Sequence, residues 1–462
     1  MEEDAKKVEL FENTPIPKAV MTLAVPTILS SLVMVLYNLA DTYFVGMLND
    51  PVQNAAVTLA APVLLSFNAI NNLFGVGSSS MMSRALGRRD YKTVEHSSAF
   101  GFYCALGCGL LLSLFYTLLQ NPVLNLLGAD AENIEATRQY LKWTTSCGAA
   151  PAILNVVMAY MVRSEGASLH ASIGTMSGCL LNIILDPIFI LPSGLDMGAA
   201  GAGCATFISN CVACTYFFIL LAAKRGRTHV CINPRMFRPT KSIVVGVCGV
   251  GIPAAIQNLL NVTGMTVLNN FTSAYGSTAV AAMGIAQKVN MIPMQIAMGL
   301  SQGIQPLVGY NYAARNSKRM KAAVRFAMTI SLCFLLVVMV FYYADARWLI
   351  SLFIETEEVV NYGTRFLRGM CLACPFLSLD FLAVGVFQSC GMGKKSLFFA
   401  IMRKVILEIP ALIILNTIYP LYGLAYAQLC AEIVMATLAM ITLFRLFRRL
   451  DQESNQQPSS PD

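Results

Sequence analysis

Charge is what this chain has least of. Asp, Glu, Lys and Arg together make up 12% of 462 residues, about half the share usual in a soluble globular protein. So few charges cannot cover a water-facing surface of this size. Histidine is also scarce, with three in the chain, which leaves little from which to build a metal site beyond cysteine and carboxylate. No Walker-type phosphate loop, nucleophile motif or metal-spaced histidine cluster is present. Those absences exclude self-contained ATP-driven pumping and argue against an enzyme. The first 18 residues lack the pattern of a cleaved secretory signal, so the first apolar span is expected to act as an uncleaved insertion signal.

Apolar residues fill the gap, at 56% of the chain. About twelve stretches are long and apolar enough to cross a bilayer. They run near 19–45, 55–82, 96–120, 138–162, 168–191, 199–222, 243–270, 279–309, 322–344, 363–388, 396–417 and 423–446. The expected fold is all-α and polytopic, with two lobes of six transmembrane helices. The formal net charge of +7 would suggest nucleic acid in a soluble chain, but here the basic residues alternate by loop. Arg84, Arg88, Arg89 and Lys92 form one cluster; Lys224 to Lys241, Arg315 to Lys321, Lys394 with Lys395, and Arg445 to Arg449 form the others. The loops between are poor in Lys and Arg, and two are acidic, around Asp130 and around Glu355. The positive-inside rule places the basic loops and both termini in the cytoplasm. The expected location is the plasma membrane, with the bilayer as partner and no nucleic acid.

The 14 cysteines fall mostly within apolar stretches, where Cys packs as a small hydrophobe. Two pairs, Cys211 with Cys214 and Cys371 with Cys374, have a spacing that would share a helix face. Packing rather than metal binding is the reading for both.

The chain repeats itself. LAVPTILSSL from Leu23 matches VGIPAAIQNL from Val250, and GVGSSSMMSRALGRRDYK from Gly75 matches GLSQGIQPLVGYNYAARNSK from Gly299. Internal repeats of this size, about half a chain, are a common plan of secondary transporters. The expected division is a lobe at 1–230, a cytoplasmic linker at 231–241, a second lobe at 242–450 and a disordered tail at 451–462, rich in Gln, Ser and Pro.

Ionisable groups inside the bilayer are costly and therefore candidates for function. Asp41 and Asp186 stand near the outer ends of the first and fifth spans, and Thr206 lies in the outer part of the sixth. Tyr37 precedes Asp41 by four residues and Asn182 precedes Asp186 by four, so each pair shares a helix face. Two carboxylates, an amide and a hydroxyl make a hard-oxygen set that can bind Na⁺ or hold protons. The alternative is that either aspartate caps a helix end. In the second half Lys288, Asp380, Glu408 and Glu432 fall inside spans, and Lys404 with Glu408 has the spacing of a simple pair. Asn155, Asn261, Lys288 and Gln302 are candidates for a substrate cleft. The 24 methionines suit either an adaptable binding surface or plain gap-filling.

On these residues, and on GLSQGIQPLVGYNYAAR from Gly299 with its first-half counterpart GVGSSSMMSRALGRRD, the sequence resembles the multidrug and toxic compound extrusion (MATE) family, DinF-like branch. The resemblance implies a V-shaped pair of six-helix lobes. It also implies monomeric antiport of small organic, often cationic, compounds against Na⁺ or H⁺, with no other cofactor. It places the coupling site at Asp41, Asn182, Asp186 and Thr206, with Tyr37 and Tyr140 nearby, and a bend in the first span at Pro26. A coupling site of the NorM-like branch fits poorly, because Asn261 stands where an acid is expected. The alternative function is a lipid-linked precursor flippase of the same superfamily. That would need a strongly cationic cleft, and few Lys or Arg lie within the spans.

Overall fold

The structure, a computed structural model, describes residues 2–455; the last part of the expected tail, 456–462, lies outside the described residues. Among the described residues the chain is helical, with no strand. A helix α1 (Glu2–Glu12) precedes the first span, α2 (Ile16–Gly46). The second span joins α3 (Pro51–Ile70) to α4 (Gly77–Gly87) through a widened, π-type stretch at Asn71–Val76. After α5 (Tyr91–Leu118) and the short α6 (Gln120–Leu126), the fourth span joins α7 (Ile134–Leu141) to α8 (Ala149–Ser164) through a second widened stretch, Lys142–Cys147. The fifth and sixth spans are α9 (Ser168–Ile190) and α10 (Ala199–Ala223). The second half has α11 (Lys241–Ser273), α12 (Ser277–Ala313), α13 (Ser317–Ala344) and the short α14 (Ala346–Ser351). It continues with α15 (Glu357–Cys371) and α16 (Cys374–Ser389), which form one span. Next come α17 (Gly393–Ile401) and α18 (Ile409–Ile418), joined through a third widened stretch at Met402–Glu408, and finally α19 (Gly423–Asn455).

Among the described residues, α2, α5, α9, α10, α11, α13 and α19 are each long and apolar enough to span a bilayer alone, as is the continuous α3–α4 stretch, and two more spans are bent pairs, by 51° between α7 and α8 and by 45° between α15 and α16. The other two expected spans are α12, diluted by Lys288, Asn290 and Asn311, and the α17–α18 pair, interrupted by Arg403, Lys404 and Glu408. The break between α15 and α16 separates Cys371 from Cys374, so the expected shared helix face does not exist there. Instead Cys374 donates to Asn290 Oδ1 at 3.3 Å. At the chain end α19 continues to Asn455, so residues 451–455 are helical rather than disordered.

The repeat is visible in the backbone. Left-handed residues come in pairs about half a chain apart: Asn49 with Gly276, Arg89 with Arg315, Gly166 with Gly391, and Gly198 with Leu421. Each member of the second pair precedes an N-cap. Asp90 accepts from Thr93 N at 3.2 Å to start α5, and Asn316 accepts from Arg319 N at 3.1 Å to start α13.

Two compact units emerge, drawn differently from the expected lobes. The first holds Leu29–Ala255 with the described residues through Val8; the second holds Glu9–Ile28 and the described residues from Ile256 on. The change of unit falls two residues after Pro26 in α2 and two residues after Pro253 in α11. Close packing explains the exchange. In the second unit α12 offers Gly303 to the first half of α2, where a Cβ would meet Ala24 Cα at 2.6 Å. In the first unit α4 offers Gly77 to the first half of α11, where a Cβ would meet the Val247 carbonyl at 2.4 Å. Only glycine admits backbones this close. The linker is also held in the first unit: Tyr103 donates to the Ile232 carbonyl at 2.5 Å and Cys231 N donates to Ser98 Oγ at 2.8 Å.

Candidate functional site

The fifth and sixth spans set the site. Gly178 on α9 faces α10 so closely that a Cβ would sit 3.1 Å from Ala213 Cβ and 3.2 Å from the Ser209 carbonyl. One turn further along α9, Asn182 therefore reaches Thr206 on α10. Asn182 is 2% exposed and Asp186 is fully buried. Asp186 lies inside α9, four residues from its end, so it is no end cap.

The Asn182 amide stands between Asp186 and Thr206. With its nitrogen toward Asp186 it donates to both carboxylate oxygens, at 2.8 and 3.1 Å, and its oxygen accepts from the Thr206 N–H and hydroxyl at 3.1 Å each. That arrangement suits an ionised Asp186, which only accepts.

Helix α2 completes the group. Tyr37 lies beside Thr206, and Asp41, half-buried, lies close enough to Tyr37 and Asp186 for their charges to interact. Tyr140, buried on α7, is within the same reach of Asp41, Tyr37 and Asp186. The six residues selected from the sequence are thus brought together in one unit.

A cavity of about 310 Å³ opens beside them, within the volume range of small-molecule sites. Asn182, Thr206 and Tyr37 form part of its wall, and Asn38, Asn68, Asn71, Asn155 and Asn210 supply further amides. No Asp, Glu, Lys or Arg lines it. Asn155 donates to Asn210 Oδ1 at 3.1 Å, whereas Asn71 Oδ1 and Ser209 Oγ are buried without a protein partner. The widened stretches help to shape this wall, because Asn71 and Thr144 lie within them. Extra-wide turns of this kind recur at functional sites.

The remaining cleft candidates do not join this group. Asn261 accepts from Arg403 at 2.6 Å in the second unit. Lys288 is exposed and Gln302 half-buried, both on α12. Lys404 and Glu408 form the expected pair at 2.6 Å.

The repeat has a direct counterpart in known proteins: the MatE family model matches residues 26–188 and again 253–414. The chain belongs to this family. MatE proteins are transporters, and this one is a multi-pass membrane protein of that kind. Among relatives, the multidrug export protein MepA of Staphylococcus aureus (strain MSSA476) is 33% identical over 96% of this chain and 97% of its own. The structure also superposes on an outward-facing multidrug resistance MATE transporter of the MOP superfamily, with TM-score 0.91 and 27% identity over 97% of this chain and 99% of that one. A MATE crystal structure in a bent conformation gives TM-score 0.88 and 26% identity, over 98% and 99%.

Proposed function

We propose that this MatE protein is an antiporter that exports small organic, often cationic, compounds across the plasma membrane in exchange for H⁺ or Na⁺. It would work as a monomer with both termini in the cytoplasm. The observation that carries the reading is the pair Asp41 and Asp186 behind the wall of a cavity that has no formal charge of its own. In a dry setting their negative field reaches the cavity and favours an organic cation there. A proton or Na⁺ bound at the carboxylates cancels that field. Drug and coupling ion then bind at each other's expense, and such linkage is reciprocal. Asn71 and Ser209 in the cavity wall keep buried oxygens without a protein partner, which a small shift would turn toward a substrate's donors.

Asn182 links the carboxylate to the neighbouring helices. A proton arriving at Asp186 removes an acceptor from the Asn182 amide, whose oxygen holds Thr206 of α10 beside Tyr37 of α2. Ion loading is thereby transmitted from α9 to α10 and α2, the helix that contains Pro26. A proline there removes one backbone donor and weakens the helix against bending.

The test is efflux of a fluorescent cation such as ethidium from cells bearing Asp41→Asn or Asp186→Asn, with membrane content matched. Loss of efflux in both is expected; full efflux in both overturns the assignment. Proteoliposomes given a proton gradient or a sodium gradient separately identify the ion.

A further inference from the structure

The second unit contains a buried charge cluster that the site above does not use. Three carboxylates, Asp380 on α16, Glu408 on the widened stretch and Glu432 on α19, face two cations, Arg403 and Lys404. Lys404 and Glu408 satisfy each other at 2.6 Å. Arg403 spends one nitrogen on Asp380 Oδ2 at 3.0 Å and another on Asn261 Oδ1 at 2.6 Å. Its Nε is 3.9 Å from Glu432 Oε1, near enough for attraction and too far for a hydrogen bond. Both Glu432 oxygens, Asp380 Oδ1 and Arg403 Nε are thus buried without a hydrogen-bond partner, and Glu432 is fully inaccessible.

We propose that this cluster is a second ion-binding site, in which Glu432 holds one transferable proton. The charge count leads there: with all five groups ionised the cluster has one negative charge in excess, and one proton makes it neutral. A buried ionised carboxylate with no partner is costly, and neutralisation is the usual escape. A proton supplies that charge without the coordination shell a metal ion would need, and the unpartnered Glu432 carboxylate can take it directly. The groups facing Glu432 are Asp380 and Cys374 from α16, and Arg403, Lys404 and Glu408 from the neighbouring span. Of the charged groups on the other helices packed against α19, Arg365 and Arg368 of α15 lie over Tyr422 and Tyr343, Glu357 pairs with Arg347, Arg319 of α13 donates to the Leu10, Phe11 and Thr14 carbonyls, and Lys321 pairs with Asp451. When the proton leaves, Arg403 Nε is the donor at hand, so the guanidinium shifts from Asp380 toward Glu432. The proton balance is simple: Glu432 carboxyl becomes carboxylate plus one H⁺, and no other bond changes. The widened turn at Met402–Glu408, which carries Arg403, Lys404 and Glu408, gives the backbone slack for that shift.

This site extends the antiport reading and rests on it only for its use in transport. Its test needs none: infrared difference spectroscopy of the purified full-length protein in lipid, exchanged between H₂O and D₂O at neutral pH. A protonated-carboxyl band present in the wild type is expected to vanish in Glu432→Gln. It should vanish in Asp380→Asn too, because removing either charge balances the cluster without a proton. Asp41→Asn and Asp186→Asn should retain it. Should Glu432→Gln fail to fold, Glu432→Asp should keep the band at a shifted frequency. A spectrum unchanged in both Glu432→Gln and Asp380→Asn overturns the proposal, even if the aspartate variants of the first unit abolish efflux. Ordinary wild-type bands with only lowered thermal stability in Glu432→Gln would likewise reduce the cluster to a structural one.

Discussion

Replacing Arg403 by Met should be among the most destabilising single changes in the second unit, and its cost can be estimated from the contacts. Arg403 is 2% exposed and serves Asp380, Asn261 and, at longer range, Glu432. Removing one partner of a buried ion pair costs roughly 3–5 kcal/mol, mainly because the other charge is left uncompensated. Unfolding entropies near 2 cal/mol/K per residue make each °C of Tm worth about 1 kcal/mol in a chain of this length. The expected loss is therefore about 3–5 °C. The assay is thermal unfolding of the purified protein followed by intrinsic fluorescence. Adding Asp380→Asn to Arg403→Met removes the orphaned carboxylate and should restore at least half of the loss, a non-additivity expected of groups in contact. A drop below 1 °C for the single variant, or a double variant no better than the single one, would refute the account of Arg403 as the cluster's counter-ion.

Two further expectations concern the first unit. Gly178→Leu should push α9 away from α10, separating Asn182 from Thr206; efflux should fall by well over half while membrane content falls less, and equal losses would count against the packing argument. Asp90 caps α5 from outside the membrane, and the Thr93 hydroxyl that donates to it holds its carboxyl below the usual range. Stability from a carboxylate lowered in this way is present above the ordinary carboxylate range and is lost as pH falls through the folded-state value. Asp90→Ala should thus cost about 1 kcal/mol near neutral pH, with the difference from wild type closing below about pH 4; a gap that persists in acid would show that the cap acts through something other than charge.

Much of the first-unit site was legible because span direction alone fixes depth. Alternating the spans put Asp41, Asp186 and Thr206 at one height, and a four-residue step added Tyr37 and Asn182. Tyr140 entered only through the family resemblance, since a tyrosine in an apolar stretch has no signal of its own. The amides of Asn68, Asn71 and Asn210 were missed, although asparagines in apolar spans are costly enough to have drawn notice. The grip of Arg403 on Asp380 was also missed, because the two lie on different spans and a sequence pattern reports neighbours only along one helix. The widened turns were invisible for a different reason: one extra residue in a turn changes hydrogen bonding without changing composition. The expected lobe boundaries followed the repeat, whereas the compact units follow the glycine contacts of Gly77 and Gly303.

Those contacts have a consequence for how the polypeptide is made. Each duplicated half lends the opening stretch of its leading helix to the other, so neither is a closed object alone. Severing the gene at the loop before α11 would yield two fragments, each missing a wedge that its own groove is shaped to grip. The duplication has become a mutual exchange: the copies have drifted apart in their buried polar groups, as Asp186 and Arg403 show, while each still packs against the opening helix stretch of the other.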